Sequence, residues 1–538
     1  MNMQKISLFI TSALAIASAS AVAADSPPPT SAEPKAQCSV DALQKIAPQG
    51  TNILSADQLQ MPTPFCKIVG TAKATKPDST INFTLSLPTN EWNGRYYFMG
   101  LGGAAGFMPP ANPKLLGAGF AVAVTDTGHQ GTILDWSFAK DNPTAMLDHA
   151  HRAGHVTAVA TQALTRAFYG AQKMYRYMLG CSGGGRMTEQ AIERYPDDFD
   201  GAVVGAPGLG WDPSWFTWTT QQIFRTPNAW VAPAKLALIE RTVIKQCASP
   251  NGLVADPNSC GFDPASLLCK GGDGPNCLTK DEVDTVKAIA LGPPAVYPGR
   301  PRNGFALTNP TGWTQFFMGA TRPVKGQANP WAPSPPTAGY IIANSFMRDM
   351  FIRDPKLDVI DGFSFDNPAD VKRLAEGYDW ADLSPRHPEK LSAFKAKGGK
   401  VIYWHGIADP GIPVSEIITH YNDLQQSVPG SSDFARLFLA PGTYHCGGGM
   451  GPQDVPDRAL EKLIAWRERD IAPDTIVGTG PSVPEGLPEG MPGRPAPDAM
   501  ISPTRTVLMC AYPKTAKFNG RPGDFGFDAG NYSCVDPK

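Results

Sequence analysis

Apolar positions fall into two alternating patterns: short, nearly continuous runs of strand length, and longer stretches where apolar residues return every three or four positions. The runs Arg95 to Met99, Phe120 to Thr125, Lys173 to Leu179, Gly201 to Ala206, Lys400 to Trp404 and Ala435 to Leu439 read as strands. Helical spacing appears from Gly184 to Tyr195 (Met187, Ala191, Ile192, Tyr195), from Asp148 to Tyr169, and around Glu416, Ile417, His420 and Leu424. Strands interleaved with helices predict an α/β architecture. Between the strand at Gly201 and the strand at Lys400 the pattern breaks into a long segment rich in proline and aromatics: Trp211, Trp215, Phe216, Trp218, Trp313, Phe316, Phe317, Trp331, Tyr340, Phe346 and Phe351. It is too long for a loop and is expected to be an inserted lid. The expected layout is a leader at 1–24, a first core part at 25–209, the lid at 210–395 and a second core part at 396–538.

The N-terminus changes how the rest is read. Lys5 precedes the apolar run Ile6 to Ile16, small residues follow to Ala23 and Ala24, and Asp25-Ser26-Pro27-Pro28-Pro29 begins a polar stretch. This is the pattern of a secretory signal peptide cleaved after Ala23 or Ala24; a membrane span needs about 20 apolar residues. A secreted or periplasmic protein is expected. Ten cysteines in an exported chain imply disulfides. Clustering suggests Cys38 with Cys66, Cys247 with Cys260, Cys269 with Cys277 and Cys510 with Cys534, leaving Cys181 and Cys446, although spacing alone does not fix connectivity. No Cys-x-x-Cys suggests zinc. Among 538 residues, 47 basic and 49 acidic side chains offer no electrostatic footprint for nucleic acid or an anionic membrane, and neither is expected as a partner. The 54 glycines and 53 prolines fit a loop-rich folded protein.

The candidate chemistry lies around the two remaining cysteines. Gly180-Cys181-Ser182-Gly183-Gly184 sits between a strand and a helix, the context of a nucleophile elbow, in which glycines permit a sharp turn presenting the serine hydroxyl. A serine nucleophile needs a base and an orienting carboxylate, in the chain order Ser, Asp or Glu, His. His405-Gly406-Ile407-Ala408-Asp409-Pro410 ends one later strand, and Pro441-Gly442-Thr443-Tyr444-His445-Cys446 follows the next. Ser182 is therefore assigned as nucleophile, His445 as base and Asp409 as orienter, while His420 falls within a helical stretch and reads as a packing residue. Cys181 precedes the serine and Cys446 follows the histidine, so a disulfide between them would hold nucleophile and base side by side.

This constellation resembles the tannase and feruloyl esterase family of serine hydrolases. The resemblance rests on Gly180-Cys181-Ser182-Gly183-Gly184-Gly185-Arg186, Tyr195-Pro196-Asp197-Asp198-Phe199-Asp200-Gly201, His405-Gly406 with Asp409, and His445-Cys446-Gly447-Gly448-Gly449, and extends from about Cys38 to Cys534. It implies an α/β-hydrolase fold with a large inserted lid and a disulfide joining the neighbours of the catalytic serine and histidine. It also implies hydrolysis of small esters of aromatic acids of hydroxycinnamic, gallic or phthalic type, with no cofactor required. The oxyanion hole is expected from the N–H of Gly183 and, in the loop after the strand at Arg95, of Gly103 ahead of Gly102. By the same resemblance His405 and Ile412 should line the acyl pocket. Phe346 is the lid aromatic chosen to join them, most lid aromatics being expected to form the lid's own core.

Related lids often carry an Asp-rich calcium loop. Here Ala248 and Ala255 stand where acidic ligands would be, so weak or absent calcium binding is expected. Tyr444 replaces the glycine usual before the histidine. His151 and His155 are one helical turn apart but lack a third ligand, and no metal site is assigned. Asp126 to His129 reads as a structural buttress. A peptidase or a polyester or oligoester depolymerase on the same fold, and a non-catalytic binding module, are the competing readings.

Overall fold

The computed structural model describes residues 32–537 apart from 211, 257–259, 297–301, 303, 309, 386, 482–504 and 522–525. The leader therefore lies outside the described residues, as does Trp211. Nine strands form one sheet: β1 (Thr51–Leu59), β2 (Phe65–Ala74), β3 (Ser79–Pro88), β4 (Arg95–Gly100), β5 (Ala121–Thr125), β6 (Tyr175–Cys181), β7 (Gly201–Gly205), β8 (Lys400–Gly406) and β9 (Ala435–Ala440), in the order β1-β2-β3-β5-β4-β6-β7-β8-β9. β1, β2, β3 and β5 pair antiparallel, and from β5 onward every neighbour is parallel. The larger helices are α1 (Ala153–Tyr169), α2 (Gly183–Arg194), α3 (Asp212–Phe224), α4 (Pro233–Cys247), α5 (Lys280–Leu291), α6 (Ala338–Ser345), α7 (Pro368–Ala381), α8 (Val414–Ser427) and α9 (Val455–Arg469).

The central positions of the parallel strands are largely apolar because both faces of the sheet are covered. β7 is buried along its whole length. Val203 of β7 and Ile402 of β8 face α9, packing with Leu460 and Leu463, whereas Ala202, Val204, Val401 and Tyr403 face the other way onto α8 and Ile192 of α2. That alternation is the two-residue period of a strand used on both sides. α1 covers β2, β3, β5 and β4 through Ala158, Leu164 and Phe168. The expected strands all occur, with ends displaced by no more than two residues. The helix expected from Asp148 opens with a π-helical turn, Asp148–Arg152. The antiparallel strands β1–β3 and two small hairpins, β10 (Thr475–Gly480) with β11 (Arg505–Cys510) and β12 (Thr515–Phe518) with β13 (Tyr532–Val535), were not anticipated from the pattern.

The chain between β7 and β8 is helical and holds α3 to α7. Trp215, Phe216, Trp313, Phe317, Phe346, Phe351 and Tyr378 pack there into one apolar cluster, joined by Trp136 and Ala139 from the segment after β5 and by Ile412. Near its end, the short helix Leu391–Ala396 turns Leu391 and Phe394 onto the sheet side with Val401 and Tyr403. Leu391 and Phe394 pack with the sheet rather than with the insert's cluster. Five disulfides occur, Cys38–Cys66, Cys181–Cys446, Cys247–Cys260, Cys269–Cys277 and Cys510–Cys534, and none of the ten cysteines is free. Four are local; Cys181–Cys446 spans 265 residues. No helix among the described residues is long and apolar enough to cross a membrane.

Candidate active site

Ser182 lies between β6 and α2 with φ 62° and ψ −128°, a backbone conformation that few side chains tolerate and that neighbouring packing must enforce. Gly180 and Gly184 allow it: a Cβ on Gly180 would lie 2.1 Å from the Gly184 carbonyl oxygen, and one on Gly184 would lie 2.5 Å from that of Gly100. The strand and helix can cross this closely only without side chains at those positions. The serine N–H bonds to the Gly205 carbonyl at 3.0 Å, tying the turn to β7.

His445 follows β9 and Asp409 follows β8. The Ser182 hydroxyl is 2.8 Å from His445 Nε2, and His445 Nδ1 is 2.8 Å from Asp409 Oδ2. Because the carboxylate only accepts, Nδ1 carries the hydrogen and Nε2 is left to accept from the serine. The other carboxylate oxygen accepts the N–H of Gly411 at 2.7 Å and of Ile412 at 2.9 Å. Burial favours the neutral Asp409 carboxyl, but the charge of His445 and the hydrogen bonds from His405 and His445 outweigh it and hold the group far below the usual carboxylate range. Burial likewise disfavours imidazolium at His445, and the Asp409 charge overcomes it, so its pKa is raised. The Cys181–Cys446 bridge, with Cα atoms 5.9 Å apart, joins the two loops next to the serine and histidine.

Gly103 and Gly183 lie against one another. A Cβ on Gly183 would be 2.9 Å from the Gly103 nitrogen, and Gly103 itself has φ 59° with a hypothetical Cβ 2.1 Å from the Ile133 carbonyl oxygen. Only glycine fits there. The loop is pinned by the Ala104 N–H to Ile133 O bond at 3.0 Å. Gly102 packs nearer Cys181 and the Ser182 Cβ.

A cavity of about 350 Å³ opens on Ser182, His445, Gly103 and Gly183. Its walls are mainly apolar; Ile412 and Phe346 line it, together with Trp136, Phe216, Phe316 and Ile342. Phe316 meets the His445 ring edge-on at 5.8 Å. His405, expected on the pocket wall, does not line the cavity. It is fully buried behind Asp409, its Nε2–H shared between Ile412 O at 3.0 Å and Asp409 Oδ2 at 3.2 Å. Its position just inside the end of β8 points the ring into the protein, where it supports the aspartate. His420 is buried against Glu189 at 2.8 Å, His151 bonds Tyr195 and His155 bonds Asp198. Asp126 holds Asn82, Gly128 and Gln130, bracing β3 and the turn after β5 rather than the elbow itself. Three polar residues on the cavity wall went unassigned in the sequence: Arg186, His149 and Asp212. Arg186 lies inside the elbow motif and could have been singled out there; nothing local marks Asp212.

A profile described as tannase and feruloyl esterase matches residues 66–535. The chain belongs to the tannase and feruloyl esterase family. It is 31% identical to an uncharacterized esterase of Xanthomonas campestris, covering 91% of this chain and 86% of that one. It is 29% identical to a mono(2-hydroxyethyl) terephthalate hydrolase of Piscinibacter sakaiensis, covering 88% and 85%. The crystal structure of feruloyl esterase B from Aspergillus oryzae superposes with a TM-score of 0.74 at 23% identity, over 91% of this chain and 98% of that one, and establishes the shared α/β fold. As a member of the tannase and feruloyl esterase family the protein is a carboxylic ester hydrolase acting on small-molecule esters. A hydroxyl, an imidazole and a carboxylate in one hydrogen-bonded line, beside two backbone amides and an apolar cavity, are suited to acyl transfer through a serine.

Proposed function

We propose that the protein is an exported serine esterase that hydrolyses esters of aromatic acids through an acyl-enzyme on Ser182. The observation that carries this reading is the unbroken line from the Ser182 hydroxyl through His445 to Asp409 at the mouth of an apolar cavity. In this mechanism the serine oxygen attacks the ester carbonyl while His445 Nε2 takes its proton, and Asp409 stabilises the resulting imidazolium. The N–H groups of Gly103 and Gly183 receive the developing oxyanion. Collapse of the tetrahedral species breaks the bond to the alcohol oxygen, which leaves with the proton from His445. Water, deprotonated by the same histidine, then releases the acid.

Flat rings suit a cavity walled by Trp136, Phe216, Phe316 and Phe346, since ring faces and edges pack favourably against one another. The chemistry needs no resident cofactor, and the alanines after Cys247 leave the lid poor in calcium ligands. The secretory leader pattern and five disulfides support a periplasmic or secreted location.

Ser182→Ala should leave the circular dichroism spectrum unchanged and lower kcat on methyl ferulate or methyl gallate about a millionfold. Retained turnover would overturn the assignment. A panel adding a terephthalate monoester and a peptide separates the aromatic-ester reading from a depolymerase or a peptidase.

A further inference from the structure

Asp212 is the first residue of α3 and is 8% exposed, yet no cation lies within ion-pairing distance of it among the described residues. It lines the cavity that holds Ser182 and His445. Its carboxylate rests on the backbone of Gly208: both oxygens are 2.8 Å from where a Gly208 Cβ would be, so a side chain there would displace it. The Gly208 N–H in turn bonds the Ser182 carbonyl at 3.2 Å. The carboxylate is thereby fixed one backbone layer from the nucleophile. The charges of Arg186 and His445 and the backbone N–H groups of Asp212 and Gly210 favour its ionised form. Burial lifts its pKa to about 6, against the opposing effect of Arg186, and it remains mostly ionised at neutral pH.

The other charged group on this wall is Arg186, whose guanidinium donates to Ala150 O at 3.1 Å and to His149 Nε2 at 3.1 Å. The cavity therefore presents an anionic acceptor and a cation in an otherwise apolar enclosure. An acyl carboxylate placed beside Asp212 would meet its like charge across a poorly screened space, while the Arg186 guanidinium is turned to Ala150 O and His149. A neutral group that donates a hydrogen bond satisfies the acceptor without bringing a charge.

We propose that Asp212 forms a specificity subsite that accepts a hydrogen bond from a hydroxyl on the acyl ring, favouring hydroxylated aromatic acids over unsubstituted or carboxylate-bearing ones. This rests on the aromatic-ester reading of the same cavity and narrows it. Among the relatives is a hydrolase named for a terephthalate monoester; here the subsite works against such a substrate.

The test compares kcat/KM for three methyl esters that differ only on the ring: methyl 4-hydroxybenzoate, methyl benzoate and monomethyl terephthalate. In the native enzyme the hydroxylated ester should exceed the unsubstituted one about tenfold or more, and the carboxylated one should be slowest. Asp212→Asn, which keeps the shape and removes the charge, should shrink the hydroxyl preference about tenfold and raise the terephthalate monoester relative to the benzoate. A native enzyme that hydrolyses all three without preference overturns the subsite, whatever the variant does, and so does an Asp212→Asn protein with unchanged ratios. Hydrolysis of none of the three, nor of any other aromatic ester, would instead count against the proposed function.

Discussion

The elbow and the helical insert meet at the same cavity, but they are held in different ways. At the elbow, backbone approaches backbone. Gly180, Gly184 and Gly103 each sit where a Cβ would come within 2.5 Å of a carbonyl oxygen, Ser182 keeps a positive φ, and a disulfide joins the two loops. In the insert, side chains approach side chains: Phe346 packs on Trp136 with ring centroids 4.1 Å apart and on Phe351 at 5.6 Å. Backbone crowding leaves almost no freedom to adjust, whereas an aromatic cluster can repack around a volume-conserving substitution and keep the catalytic geometry even where a truncation lowers stability. In the proposed reaction the chemistry falls to the rigid part and selection of the acyl group to the adaptable part.

Four variants, ordered by their effect on turnover, and one control would break or sharpen that contrast. Asp409→Asn removes the charge that orients His445 and should lower kcat about ten-thousandfold with little change in melting temperature. It also carries a pH signature. His445 works as a base only when neutral, and Asp409 holds its pKa above the ordinary value of about 6.5. In the native enzyme kcat/KM should therefore fall as pH drops through that raised value, and in the variant the acidic limb should move to lower pH. A limb that stays in place would show that another group sets it.

Gly103→Ala tests the backbone argument directly. A methyl group 2.1 Å from the Ile133 carbonyl must push the loop away from Gly183, and kcat should fall about 100- to 1000-fold while KM changes little. A fully active alanine variant would mean that the loop is not rigid. Cys181→Ala with Cys446→Ala opens the longest covalent loop in the chain and should cost about 5 kcal/mol in denaturant unfolding, with a loss of kcat of about tenfold or less as Ser182 and His445 loosen. As the control, removing the Cys269–Cys277 bridge of the insert should leave kcat unaltered, and equal losses in the two disulfide variants would erase the distinction between the regions. Phe346→Ala should do the reverse of the elbow variants: unfolding stability falls by about 3 to 5 kcal/mol, while kcat on small esters changes only a few-fold. A large kcat loss with no melting change would place Phe346 with the chemistry.

Much of this site was legible along the chain because its signals are local. A strand, a Gly-x-Ser-x-Gly turn and a helix lie within about twenty consecutive residues around Ser182, and the loops at Asp409 and His445 each directly follow an apolar run of strand length. β1 and β2 do not stand out from loop sequence because their apolar positions are interrupted by polar stretches and by a bulge near Ile53, whereas β3 was legible, with Ile81, Phe83, Leu85 and Leu87 alternating strictly with polar residues. His405 was misplaced for a different reason. One residue of strand decides whether a side chain faces the cavity or the interior, and at the end of β8 His405 turns inward to Asp409 and Ile412 O.

The chain by itself determined the α/β class, the leader pattern, an even set of cysteines and the three residues brought into one hydrogen-bonded line, since each depends on short-range periodicity or on residue types that chemistry requires. Only the tertiary structure decided what surrounds that line. Asp212 lies in the helix that opens the insert, Trp136 in the segment after β5, and Ile412 beyond β8, yet all three reach one cavity wall. Their meeting depends on how the insert settles on the sheet, through contacts between side chains far apart in sequence. No local spacing encodes such contacts.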